Sequence, residues 1–171
     1  TQIAPVFLSS DINKDQDNKH FKSIEHLTKN LMDKSISKAQ KSESSVYFLQ
    51  LKVIFNENIN KHENFENFEE NLKKIIKGEL PNSAEILWLG FGLIFIAIHE
   101  STPVAAEHIC AEIRTKIETM YSSENNDPIL TLKYIMTAYP RDGENYSQLM
   151  GTMEHQFYSS STGLYIENHG T

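Results

Sequence analysis

A chain of 171 residues is long enough for one domain with its own core, and needs no disulfide staple. Its formal net charge of −7 excludes the basic footprint of a nonspecific nucleic-acid binder, disfavours an anionic membrane surface and suits a basic protein partner. The single cysteine, Cys110, excludes an intrachain disulfide and any cysteine-based zinc site, and fits a reducing cytoplasm.

The opening residues, Thr1-Gln2-Ile3-Ala4-Pro5-Val6-Phe7-Leu8, lack the basic start and the apolar stretch of a secretory signal. With the polar run from Asp11 to Asn18 they read as an extended arm and loop over 1–18. Over 19–41, Phe21, Ile24, Leu27, Leu31 and Ile36 recur at spacings of three to five, which predicts an amphipathic helix.

After Ser42-Glu43-Ser44-Ser45, residues 46–55 carry two patterns at once. Tyr47, Leu49, Leu51, Val53 and Phe55 alternate as in a strand. Phe48, Leu51 and Phe55 also share a helical face. A lone strand would leave its backbone unsatisfied, so the segment reads as helix, with minor β structure as the alternative. Residues 64–77 form an amphipathic pattern through Phe65, Phe68, Leu72 and Ile75 or Ile76. Glu63, Glu66, Glu69 and Glu70 crowd its start and Lys73, Lys74 and Lys77 its end, which complements the helix dipole. Gly78 is placed for a C-cap.

Residues 86–98, I-L-W-L-G-F-G-L-I-F-I-A-I, contain no polar side chain. The run is too short for a membrane span of about 20 residues. Asn82 and Glu85 have the spacing of a capping box. A buried central helix over 83–99 is therefore expected, jacketed by the others, with Gly90 and Gly92 admitting close neighbours.

Thr102-Pro103 marks a further helix start, continued by Ala106, Ile109, Cys110, Ile113, Ile117, Met120 and Tyr121. Asp127-Pro128 repeats the signal before a shorter helix with Ile129, Leu132, Ile135, Met136 and Tyr139, ended by Pro140. Tyr146, Leu149, Met150, Met153 and Phe157 define a last helix, and 159–171 reads as a flexible tail. The expected fold is all-α: a compact bundle of six or seven helices, one helical domain over 19–158, built around 83–99.

Motifs for chemistry are sparse. Gly90-Phe91-Gly92 lacks the third glycine of a dinucleotide fingerprint. No G-x-S-x-G elbow, H-E-x-x-H or Glu-x-x-His occurs. His99, Glu100, His108 and Glu112, with Glu107, form the one constellation suited to a divalent metal or an acid–base pair, though helix-end placement explains them equally well. Cys110, between Ile109 and Ile113, reads as a core thiol. His20, His26, His62, His155 and His169 are scattered, and none stands out as a haem ligand. Tyr139, Tyr146, Phe157 and Tyr158, with Met150 and Met153, gather the residue types of an interface in the last third.

These readings favour a soluble, cytoplasmic, non-enzymatic module over an enzyme. It would be an adaptor, chaperone or neutralising inhibitor that occupies another protein through Tyr139, Tyr146, Met150, Met153, Phe157 and Tyr158, without cofactor, nucleic acid or membrane. The alternatives are a small metal-dependent enzyme using His99, Glu100, His108 and Glu112, and a sensor of an apolar ligand or haem.

Overall fold

The computed structural model describes residues 14–56, 67–90, 92–122 and 129–161, with backbone only at 14–21 and 157–161. The elements run α1 (Lys14–Lys41), β1 (Val46–Phe55), α2 (Phe68–Glu79), β2 (Glu85–Trp88), β3 (Leu93–His99), α3 (Pro103–Met120), β4 (Leu130–Tyr139) and α4 (Tyr146–Ser161). The four strands form one antiparallel sheet in the order β2-β3-β1-β4. The fold is α/β, and the all-α bundle expected from the sequence is corrected.

The correction begins at the apolar run. Residues 83–99 hold a hairpin, with Leu89, Gly90 and Gly92 in the turn between β2 and β3. Gly90 and Gly92 sit at φ values of 82° and 73°, the left-handed region that glycine enters without steric penalty. Leu93 N donates to Gly90 O at 3.0 Å and Leu89 N to Leu93 O at 2.9 Å, closing the turn. Pro81-Asn82-Ser83-Ala84 is a turn in which Ala84 N donates to Pro81 O at 3.0 Å, not a helix cap. β3 is apolar from Leu93 to Ile98 because it is an inner strand with helices over both faces, and every one of its residues, His99 included, is buried.

The other two strands follow from this one. β1 pairs with β3 from Val46↔His99 to Lys52↔Leu93, and with β4 from Val46↔Tyr139 to Phe55↔Leu130. The partners that 46–55 lacked as a lone strand were thus the two segments read as helices.

The helices close two cores. On one face, Phe68, Leu72 and Ile76 of α2 and Ala106, Cys110, Ile113 and Ile117 of α3 pack on Tyr47, Leu49, Leu51 and Val53, on Ile94, Ile96 and Ile98, and on Leu130, Leu132, Met136 and Ala138. On the other, Met32, Ile36 and Ala39 of α1 and Leu149 and Met153 of α4 pack on Val46, Phe48, Leu93, Phe95, Ala97 and Ile135.

Local signals set the helix ends. Thr102 Oγ1 accepts from Ala105 N at 3.1 Å with Pro103 at the first turn, so α3 starts where the sequence predicts. Asn145 Oδ1 accepts from Gln148 N at 3.0 Å ahead of α4. α1 begins at Lys14, earlier than the expected 19, and ends as Ser44 N reaches back to Ala39 O at 2.9 Å. Gly78 lies inside α2, which Leu80 caps. The Asp127-Pro128 signal, Phe65 and residues 1–13 and 162–171 lie outside the described residues.

Candidate functional site

Alternation along β1 sends Val46, Phe48, Gln50 and Lys52 to the face beneath α1 and α4. Gln50 is 7% exposed and Lys52 only 3%, both within a strand otherwise apolar up to Phe55. The register sets Lys52 directly opposite Lys133 of β4 on one side and Leu93 of β3 on the other. Residues directly opposite in an antiparallel pair share a face, so the two lysines lie on the same one. Burial, and then Lys133, pull the Lys52 ammonium down from its ordinary value of 10.5 to about 8.

The hairpin turn borders this pair. Val53 N donates to Gly92 O at 2.9 Å. A Cβ added at Gly92 would stand 2.9 Å from Val53 Cβ, so only glycine lets the turn lie this close to β1. That contact lies on the α2/α3 face, to which Val53 belongs, while Lys52 beside it faces α1 and α4. The strand positions flanking the pair on this face are Gln50 and Ile54 on β1, Phe95 on β3 and Thr131 and Ile135 on β4.

The residues singled out from the sequence fall elsewhere. His99, 7% exposed, ends β3 on the α1/α4 face, and its Nε2 has no partner. Burial chiefly, with Lys38, lowers its pKa below 6.5, against the opposite pull of Glu85 and Glu100. Glu100 follows at φ 54°, exposed. His108 and Glu112 ride on α3, which covers the opposite face. Among the described residues, no group of three His, Cys, Asp or Glu side chains could hold a metal ion.

Tyr139, Tyr146, Met150 and Met153 do gather, against the core under α1 and α4, with Met153 1% exposed and the others partly buried. The side chains of Phe157 and Tyr158 lie outside the described ones. Cys110 is a buried core thiol, pushed up to about 12 chiefly by desolvation. A cleft of about 600 Å³ lined by Gln40, Glu43, Ser44, Ser45, Glu100 and Tyr139 opens at the other end of β1.

Lys52 and Lys133 were missed by the sequence reading. Their signal was present as a lysine at an alternate position of a β-branched and aromatic run, and it was lost when that run was taken for a helix.

No family model and no curated protein matches the chain. Solved structures do. A sensory box/GGDEF family protein from Caulobacter crescentus aligns with a TM-score of 0.62 at 12% identity, over 80% of this chain and 90% of that one. The GGDEF domain of DgcB from the same organism, in complex with c-di-GMP, aligns at 0.55 and 11% identity over 78% and 82%. The GGEEF domain of a diguanylate cyclase from Vibrio cholerae aligns at 0.56 and 11% over 75% and 84%. These likenesses establish the fold. Read as residues, G-G-D-E-F and G-G-E-E-F occur nowhere in this chain, which comes nearest at Gly90-Phe91-Gly92. The expectation of a non-enzymatic adaptor, chaperone or inhibitor rested on an all-α bundle. It is withdrawn, because that bundle is absent and the fold is shared instead with GGDEF domains and with the GGEEF domain of a diguanylate cyclase.

Proposed function

We propose that this chain is a guanine-nucleotide domain of the diguanylate cyclase class, with the ligand's phosphates received at Lys52 and Lys133. The observation that carries the reading is the shared fold, which extends over about four fifths of the chain and includes a neighbour holding c-di-GMP. The paired lysines beside the glycine turn support it, since ammonium groups in a partly desolvated site are natural receptors for phosphate.

Magnesium bound to nucleotide phosphates is usually held by one or two protein carboxylates. The strand positions flanking Lys52 and Lys133 on their face offer none. No step is therefore drawn through such an ion. A cytoplasmic location belongs to the same proposal: guanine nucleotides are abundant there and a lone thiol such as Cys110 stays reduced. No described helix is long and apolar enough to cross a membrane.

Calorimetric titration of the purified chain with GTP, ATP and c-di-GMP tests the reading, with c-di-GMP formation from GTP followed chromatographically in the same samples. Saturable binding of guanine nucleotides in preference to ATP is expected. A folded protein that neither binds nor converts them would overturn it.

A further inference from the structure

Among the described residues, the sheet ends at β2 on one side and at β4 on the other. A free strand edge is a template on which another chain can add a strand. β2 has only four residues and offers little of one. β4 is ten residues long, contains no proline and carries a single charge, at Lys133. In an antiparallel pair, alternate residues turn their N–H and C=O away from the partner strand. Leu132, Met136 and Ala138 lie at such positions, and side chains from outside the sheet meet their amides. Leu132 N donates to Glu118 Oε2 at 2.8 Å, Met136 N to Gln156 Oε1 at 3.3 Å and Ala138 N to Asp142 Oδ2 at 2.8 Å. Asp142 N donates in turn to Ala138 O at 2.8 Å. Glu118 comes from α3, Gln156 from α4 and Asp142 from the loop between β4 and α4. Since α3 and α4 cover opposite faces of the sheet, the edge is held from both.

We propose that Glu118, Gln156 and Asp142 form a guard that closes the β4 edge against pairing with β4 of a second copy of this chain. A strand edge can meet its own copy in antiparallel register through a twofold axis, which requires no second kind of surface. The guard works by occupation. An amide already bonded to a side chain has no donor left for an incoming strand, and the side chain fills the place where that strand would lie. Asp142 is itself held in position by Arg141, whose Nη2 and Nε donate to its carboxylate at 2.8 and 3.1 Å. Short length blunts the β2 edge, and side-chain capping blunts the longer β4 edge. The guard governs assembly and is independent of any nucleotide.

The test measures the mass of the full chain by light scattering as its concentration rises, with circular dichroism to check folding. Glu118→Ala combined with Gln156→Ala strips Leu132 and Met136 of their acceptors. That variant should reach about twice the parent's mass at the same concentration. Glu118→Gln alone removes the same charge but keeps an acceptor, and should match the parent. In the associated variant, hydrogen exchange at the Leu132 and Met136 amides should slow as the sample is concentrated, because a partner strand replaces the lost side chains. Gln156→Ala by itself changes no charge and stands in if the double variant fails to fold; it should associate in the same way, at higher concentration. A folded variant whose mass stays at the parent's would overturn the proposal. Association of Glu118→Gln equal to that of the double variant would overturn it as a mere effect of net charge. Association without slower exchange at those amides would place the contact elsewhere on the molecule and would overturn it too.

Discussion

On the face of the sheet covered by α2 and α3, the fully buried side chains are apolar without exception among the described residues. On the face covered by α1 and α4, the buried set includes Thr28, Ser35, Gln50, Lys52, His99 and Thr137, which are all of the buried polar and charged side chains described. The same four strands thus present two surfaces of opposite character, and period-two alternation is what keeps them apart. Polar burial is destabilising unless something offsets it. Its confinement to one face makes the first the plainly apolar half of the core and leaves the second to be explained.

The largest expected effect tests the first face. Ile96 is fully buried there, at the centre of β3 and opposite Leu49. Ile96→Ala should lower stability by about 2–5 kcal/mol, through lost burial and the cavity left behind. Urea denaturation checks this. A loss well under 1 kcal/mol would mean that the face is loosely packed and is not the structural half of the molecule.

Much of the helical frame was legible in the sequence, and its reasons were local. Thr102 and Pro103 announce α3 because a cap acts within one turn, and the spacing of Leu72 and Ile76 announces α2 because one helix face suffices to show it. The sheet was legible only in pieces, because its evidence is non-local. β3 is apolar from Leu93 to Ile98, and a helix buried on all sides and a strand buried on both faces share that pattern. Once 83–99 was read as helix, Tyr47 to Val53 had no partner, and the perfect alternation of that strand was set aside. The same error hid the site, since Lys52 and Lys133, 81 positions apart, meet only through the register of β1 with β4. Gly90 and Gly92 were noticed, but positive φ at both is a property of the turn and cannot be read from composition.

A smaller effect, and one that changes with pH, is expected on the second face. With its folded-state pKa near 8 against an ordinary 10.5, the Lys52 ammonium destabilises the native state while protonated. Between those two values the folded protein has released a proton that the unfolded chain still holds, so raising the pH favours folding through this group. Lys52→Met removes the buried charge and keeps most of the side-chain length. The variant should therefore have the higher urea midpoint at pH 7, and its advantage over the parent should shrink as the pH rises through about 8. Urea midpoints of both proteins from pH 7 to pH 10 measure that difference, which cancels the titration of every lysine they share. An advantage that stays constant across the range would show that Lys52 is not the charge responsible for the contrast between the faces.

The smallest effect probes whether the polar layer serves stability at all. Thr137 is fully buried opposite Phe48, and its Oγ1 has no hydrogen-bond partner. A hydroxyl held in this way has surrendered its water without replacement, whereas a methyl in the same volume has nothing to surrender. Thr137→Val should accordingly leave stability unchanged or raise it by about 1 kcal/mol, seen as a higher urea midpoint with an unaltered denaturant slope. The outcome separates two accounts of the second face. If its polar groups form a network that holds α1 and α4 in place, removing one weakens the fold. If they are retained for what they bind, the fold tolerates or welcomes the loss. A clear fall in the midpoint of Thr137→Val would favour the network, and would make the two faces alike in purpose although different in composition.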